Sequence, residues 1–247
     1  MDERSVVVGL IEDRWREWYE KSATRNSESY EASGWTDEHT FLKQLDLIRG
    51  RLIEGDAILD VGCGPGADSR LLGELGYRVI GVDFSPMMLR RTMGDHLDNV
   101  QYVVANAYHL PFRGRSFNII VCTGVLQNIS TPARVVEEFG RVCAEGGQVL
   151  ISTLNRFCPE VVYTILVRVW VGLNRGSVLE LMQDLIRLYD RWTLRRLLMW
   201  TGFKEVQITY VFLFPSFLRK FEDLLQRFGD APLLLPMAKM ILAVGRR

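Results

Sequence analysis

Apolar and polar positions along this chain follow two spacings, and their alternation outlines an architecture. Short apolar runs bounded by glycines and acids recur at Ala57–Val61, Tyr77–Val82, Val100–Ala105, Phe117–Cys122 and Gln148–Thr153. Runs of this length flanked by turn residues predict buried parallel strands. Between them, Ala67–Leu75 and a stretch from Thr131-Pro132 to about Cys143 carry helical spacing. Thr40–Ile53 places Phe41, Leu42, Leu45, Ile48 and Leu52 on one helical face, predicting a helix laid over the sheet before its first strand. Further along, Leu179–Leu188 and Thr193–Thr201 read as helices, Gly202-Phe203 opens a strand to about Phe214, a helix spans Pro215–Arg227, and Met237–Gly245 forms a last strand. Strands alternating with helices in this way predict a doubly wound α/β domain with a mostly parallel seven-stranded sheet.

One stretch organises the rest. Ile58-Leu59-Asp60-Val61-Gly62-Cys63-Gly64-Pro65-Gly66 is a short strand running into a glycine loop that opens a helix. Gly62 and Gly64 let the backbone turn sharply and lie directly against a ligand, and Gly66 lets the next helix pack close. That helix aims free N–H groups and a partial positive charge at whatever sits above the loop. The spacing is Gly-x-Gly-x-Gly, with Asp60 two residues before the first glycine. The dinucleotide fingerprint is Gly-x-Gly-x-x-Gly, and the position of its third glycine is Ala67 here. The second strand ends in Asp83, an acid placed to accept hydrogen bonds from both hydroxyls of a ribose.

This pair of features resembles the class I S-adenosylmethionine (SAM) methyltransferases. The resemblance is close over residues 55–153 and loose over 193–247. It implies a Rossmann-like sheet, a helical lid over residues 1–50, and a SAM-binding domain over 51–247 with a helical substrate-cap insertion at about 155–200. The lid would hold Trp15, Trp18 and Tyr19 at helical spacing, then Tyr30 and Trp35 after a polar stretch. Family members often present a lid tyrosine to the cofactor; Tyr19 or Tyr30 is placed for that or for packing. The resemblance further implies cofactor contacts at Asp60, Gly62, Cys63, Gly64, Gly66, Asp83, Phe84, Met88, Asn106, Ala107, Tyr108 and Thr123.

Phe84, Met87 and Met88 supply apolar surface for an adenine and a thioether, or else pack in the core. Ser85-Pro86 is a good helix start. Asn106-Ala107-Tyr108-His109-Leu110-Pro111-Phe112 stands where the family has an acid followed by Ala-x-x-Leu-Pro-Phe. Asn106 keeps an uncharged acceptor for the adenine amino group. Histidine is the side chain suited to proton transfer near neutral pH, so His109 is a candidate base, though its place in this loop equally suits a loop-fixing or solvent-facing role. The family's Leu-His-His after the fourth strand is Leu126-Gln127-Asn128 here, and neither amide accepts a proton at neutral pH. Catalytic residues therefore stay unassigned, with His109 and Tyr30 as weak candidates. Arg141-Val142-Cys143-Ala144-Glu145-Gly146-Gly147 matches the family's glycine turn into the fifth strand, with Glu145 in place of a proline. Ser152–Arg156 resembles the strand exit of the ubiquinone-biosynthesis O-methyltransferases.

Composition narrows the partners. The 30 basic residues balance 30 acidic ones, so no global basic field exists to bind nucleic-acid phosphates. Cys63, Cys122, Cys143 and Cys158 are scattered without metal-ligand spacing and read as buried thiols in a reducing, cytoplasmic setting. No metal is expected. The N-terminus is charged and its apolar run too short for a signal peptide. Val161–Leu173, broken only by Arg168, falls well short of the ~20 residues that span a bilayer. It is either a shallow membrane-interface helix or a packed lid.

An electrophilic sulfonium methyl needs alignment and exclusion of water more than an acid or base. No Asn-Pro-Pro-Tyr tetrad for exocyclic amines of bases is present, nor a Pro-Cys nucleophile for cytosine. The expected function is methyl transfer from SAM to an oxygen (or nitrogen) of a small or lipid-like acceptor. The alternatives are a non-catalytic SAM-binding partner subunit and an NAD-type oxidoreductase.

Overall fold

The computed structural model describes residues 20–21, 24, 38–53, 56–92, 97–158, 163, 188–211 and 238–247. The aromatic residues from Trp15 to Tyr19, Tyr30, Trp35, the apolar run Val161–Leu173 apart from Tyr163, and the helix expected at Pro215–Arg227 lie outside these residues. Nearly all of the helix expected at Leu179–Leu188 does too.

Helix α1 covers Glu38–Arg49 and is followed by strand β1, Ala57–Val61. Helix α2 spans Ala67–Glu74, strand β2 Arg78–Asp83, and a short helix α3 Pro86–Arg90. Strands β3 (Val100–Val104) and β4 (Phe117–Thr123) precede a 3-10 turn at Leu126–Asn128 and helix α4, Pro132–Val142. Strand β5 is Cys143–Leu154, helix α5 Arg191–Trp200, strand β6 Lys204–Val211 and strand β7 Met240–Arg246.

The strands form one seven-stranded sheet in the order β3-β2-β1-β4-β5-β7-β6. β1 pairs in parallel with both β2 and β4, so the winding reverses between β1 and β4. Ligands of open α/β sheets bind at such a switch point, beyond the carboxyl ends of the strands. The chain's last strand does not extend the edge. β7 inserts between β5 and β6, antiparallel to each. It is apolar almost throughout, Met-Ile-Leu-Ala-Val-Gly, and is buried from Met240 to Gly245, as a central strand covered on both faces must be.

Two cores lie on opposite faces. One gathers Leu126, Val135, Phe139, Leu194, Leu198 and Tyr210 beneath α4 and α5. The other gathers Leu45, Ile48, Leu72, Val121, Leu150 and Leu242 beneath α1 and α2. Leu45 and Ile48 of α1 face inward as the pattern demanded, and Gln44 goes in with them, but Leu42, expected on the same face, is 43% exposed.

The glycine pair after α4 departs from expectation. α4 passes straight into β5 at Cys143, and Gly146-Gly147 form an irregularity inside the strand, not the reversal before it. A Cβ at Gly147 would lie 2.6 Å from the Asn118 carbonyl oxygen, so two backbones approach there and only glycine fits. α5 is capped by Asp190: its Oδ1 accepts from the Trp192 and Thr193 N–H groups, and Thr193 Oγ1 accepts from the Asp190 N–H. This reciprocal box satisfies three donors at the helix start.

Candidate functional site

The loop after β1 turns because three of its residues adopt a conformation that side chains oppose. Gly62, Gly64 and Gly66 have φ of +76°, +55° and +80°. The N–H groups of Gly62 and Cys63 both donate to the Val82 carbonyl, which locks the loop onto β2. A Cβ at Gly66 would sit 2.5 Å from the Tyr102 hydroxyl, so this glycine is what admits α2 beside β3.

Asp83 is the loop's second anchor. It is buried at the end of β2; its Oδ2 accepts from the Gly64 N–H at 2.9 Å and its Oδ1 from the Ser85 N–H at 2.8 Å. Burial pushes its pKa up, and the N–H groups of Ser85, Gly64 and Phe84 hold that rise back. A carboxylate offers about four acceptor positions, so about one remains after these three N–H groups. Ser85 caps α3 through the Met88 N–H. Met88 itself is fully buried beneath this corner, whereas Phe84 and Met87 are half-buried.

Two further acids line the same place. Asp60 is wholly buried near the end of β1, and the Ser69 hydroxyl donates to its Oδ2 at 2.6 Å. Asp68, on the first turn of α2, accepts from the Thr123 hydroxyl at 2.8 Å. Among the described residues, the Oδ1 atoms of both are buried with no hydrogen-bond partner. Burial raises the pKa of Asp60 to about 8, helped by the charges of Asp68 and Asp83 and opposed by Ser69. Burial likewise raises Asp68 to about 6, against the Thr123 hydrogen bond. Orphaned, desolvated carboxylate oxygens make this a site that favours a cation, since a positive group would supply both the missing donor and the missing charge.

Register extends the polar row. Asp60 pairs with Val121, and Thr123, two residues on, pairs with Ser152, so all three polar residues share one sheet face. The Ser152 hydroxyl donates to Gln44 Oε1 at 2.6 Å, and Gln44 Nε2 is a buried donor with no partner. Asp68, Ser69, Ser152 and Gln44 escaped the sequence reading. Asp68 and Ser69 were legible in principle, as polar residues on the inward side of the first turn after the loop.

The other sequence-derived candidates are placed less centrally. Cys63 is buried beside Gly81, and burial pushes its thiol well up, with Asp60 and Asp83 adding to the shift. Asn106 is exposed at the end of β3 and its Oδ1 accepts from the Tyr108 N–H at 3.0 Å, an Asx turn that shapes its own loop. Ala107 is half-buried in that turn, and the Tyr108 hydroxyl accepts from the Thr131 N–H, tying the loop to the start of α4. His109 is exposed and lies within electrostatic reach of Glu138 on α4. Gln127 accepts from the Thr153 hydroxyl at 3.1 Å and the Leu154 N–H at 3.4 Å, so it fastens the end of β5. Among the described residues no group of His, Cys, Asp and Glu is arranged to hold a metal ion.

The acids give a first testable consequence. A carboxyl whose folded pKa lies above its unfolded value adds stability below the unfolded pKa and loses it as pH rises through the folded one. For Asp60 that window runs from about pH 4 to about pH 8. Asp60→Asn is therefore expected to stabilise the free protein relative to the parent at about pH 8 and not at about pH 4, by on the order of 5 kcal/mol across the range. Thermal melts of both proteins at the two pH values measure it; a pH-independent difference would refute the assignment.

Residues 59–151 match the family model of a methyltransferase domain. A demethylmenaquinone methyltransferase from Clavibacter sepedonicus is 37% identical over 107 residues, covering 42% of this chain and 43% of that protein. A ubiquinone biosynthesis O-methyltransferase from Coxiella burnetii is 31% identical over 117 residues, covering 46% of this chain and 50% of that one. The chain spans about half the length of the curated relatives it matches. Among solved structures, a SAM-dependent methyltransferase from Thermotoga maritima, described as a possible histamine N-methyltransferase, has a TM-score of 0.59 at 17% identity, covering 83% of this chain and 88% of that one. That likeness speaks to the fold.

Proposed function

We propose, for a chain whose residues 59–151 match the model of a methyltransferase domain, that this protein transfers a methyl group from SAM to an oxygen, or a nitrogen, of a small or amphiphilic metabolite. The observation that carries the cofactor reading is the set of three buried acids around the glycine loop. SAM bears an ammonium and a sulfonium, and Asp60 and Asp68 carry unpartnered oxygens where a cation would be held. Asp83, at the tip of β2, is placed for the ribose hydroxyls, and Asn106, Ala107 and Tyr108 border the place of the adenine. Phe84 and Met88 would lend it apolar contact, and Gly62, Cys63, Gly64, Gly66 and Thr123 would frame the methionyl end.

When bound, SAM supplies an electrophilic methyl carbon. The chain's own contribution is to fix the geometry and exclude water around it. The acids bind and orient, and their raised pKa values mean that a cation entering the site drives protons off them. Affinity for SAM should therefore tighten as pH rises through neutrality. Gln127 and Asn128 supply no base; His109, which is exposed, and Tyr30 remain weak candidates. An acidic acceptor oxygen, such as a phenol, needs little help from one. The relatives that act in quinone biosynthesis favour such an amphiphilic acceptor.

The same reading makes residues 1–50 a lid and 155–200 a substrate cap, with peripheral membrane contact through 161–173, in a cytoplasmic protein without a nucleic-acid substrate. No described helix is long and apolar enough to cross a membrane. The experiment is turnover of methyl-labelled SAM with phenolic and amine acceptors, alongside calorimetric titration of SAM and NADH. SAM binding with transfer to a phenol supports the reading. Binding of SAM without transfer to any acceptor would instead favour a non-catalytic SAM-binding subunit, and binding of NADH alone would favour an oxidoreductase.

A further inference from the structure

Helix α5, Arg191–Trp200, buries one face and leaves a second that is hard to explain as ordinary solvated surface. At about 100° per residue, Leu194 and Leu198 point inward and are fully buried, while Trp192, Arg195, Arg196, Met199 and Trp200 share the opposite arc. Trp192 is 63% exposed, Met199 57% and Trp200 78%. Outward faces of helices usually carry solvating charges of both signs. Here the only charges are arginines, and the helix contains no acidic residue.

The positive charge is also unspent. Among the described residues, neither Arg195 nor Arg196 meets a carboxylate. Glu205, in the strand that follows, is already engaged by Arg246 at 3.2 Å. Arg191 sits on the flank, its guanidinium carbon 5.9 Å from the Trp192 ring centroid. In a chain of zero formal net charge this is a local positive stripe interleaved with indoles. We propose that this face of α5 is a docking surface for an anionic lipid bilayer. Indole rings favour the headgroup boundary, where an apolar body and an N–H can both be satisfied, and arginines alongside them meet lipid phosphates. The helix is about 15 Å long, so the stripe lies flat along the surface, as an interfacial helix does. A duplex or single-stranded nucleic acid would call for a longer basic track than this helix offers.

The helix is held rigidly enough to present that face. Asp190 caps it and accepts from the Arg156 guanidinium at 3.0 Å. Tyr189 bridges to Asn155, just beyond β5, and the Tyr189 hydroxyl donates to the Leu126 carbonyl. The N-terminal end of α5, with Trp192, therefore stands at the carboxyl end of the sheet, the same end as the glycine loop. A docked helix brings the mouth of the site to the membrane. The docking surface goes beyond the methyl-transfer reading and does not depend on it.

The test is co-sedimentation of the full chain with vesicles of phosphatidylcholine alone and of phosphatidylcholine mixed with phosphatidylglycerol, at low and high salt. The parent should bind the anionic vesicles and weaken with salt. Arg195→Gln with Arg196→Gln should lower partitioning by on the order of 25-fold, roughly fivefold per arginine neutralised. Trp192→Ser with Trp200→Ser should lower it about tenfold and abolish what binding survives high salt. All replaced side chains are exposed, so melting and SAM affinity, measured on the same samples, should match the parent and separate this proposal from the catalytic one. A parent that stays in the supernatant with both vesicles overturns it. So does loss of binding in Val167→Ser/Trp170→Ser with none in the α5 variants, or capture of a short RNA in place of vesicles.

Discussion

Asp83→Ala is expected to weaken SAM binding by about 100-fold or more. Two hydroxyls would lose a charged acceptor, and hydrogen bonds to charged groups contribute about 1.5–3 kcal/mol each. The site adds a second reason. The Asp83 carboxylate also accepts from the Gly64 and Ser85 N–H groups, so its removal orphans two backbone donors and loosens the glycine loop from the tip of β2. A melt of the variant separates the two effects, because a loop that merely loosens lowers stability without erasing affinity at low temperature. Calorimetric titration of SAM into the folded variant is the measurement. Affinity within about twofold of the parent would remove Asp83 from the cofactor site.

Gly62→Ala is expected to destabilise the protein by about 2–5 kcal/mol. The φ of +76° costs any L-residue about 1–2 kcal/mol, and a Cβ there would lie 2.2 Å from Val125 Cγ2. Overpacking of that kind costs a further 1–3 kcal/mol or so. For a chain of this size the drop in Tm is on the order of 10 °C. The double variant with Val125→Ala removes the methyl in the way and should recover the overpacking part while leaving the backbone part in place. Thermal melts of the parent, both single variants and the double variant close the cycle. No recovery in the double variant would mean that the strain is entirely in the backbone.

Gly62 and Val125 also show what can and cannot be seen in a sequence. The β1–loop–α2 unit was legible because its signals are local. Apolar strand, glycines at fixed spacing and helix start lie within a few residues of one another, and each constrains the backbone of its own segment. The pairing of that loop with Asp83 was legible for a related reason: β2 follows at once, and sequential βαβ units place their strand ends side by side. The same locality made part of the inward face of α1 readable from its period: Leu45 and Ile48 went in, whereas Leu42 stayed exposed.

Tertiary structure decided the rest. The last strand was expected to complete the sheet, but its place between β5 and β6, antiparallel to both, depends on contacts spread across the chain, which no local pattern encodes. Gln44 meets Ser152 across 108 residues, a pairing that exists only because α1 lies over the carboxyl end of β5. Asp60 was marked from its position before the glycines, yet its altered titration arises from complete burial and from Asp68, brought beside it by the turn of α2. The helix expected at Thr193–Thr201 starts two residues earlier, at Arg191, and so takes in Trp192 as well as Trp200. Leu194 and Leu198 won the core, and the tryptophans were left outside. Sequence by itself determined the strands, the loop and the chemistry that the loop can hold. Burial and long-range pairing, which are properties of the assembled sheet, determined which acids are orphaned and which surface is presented.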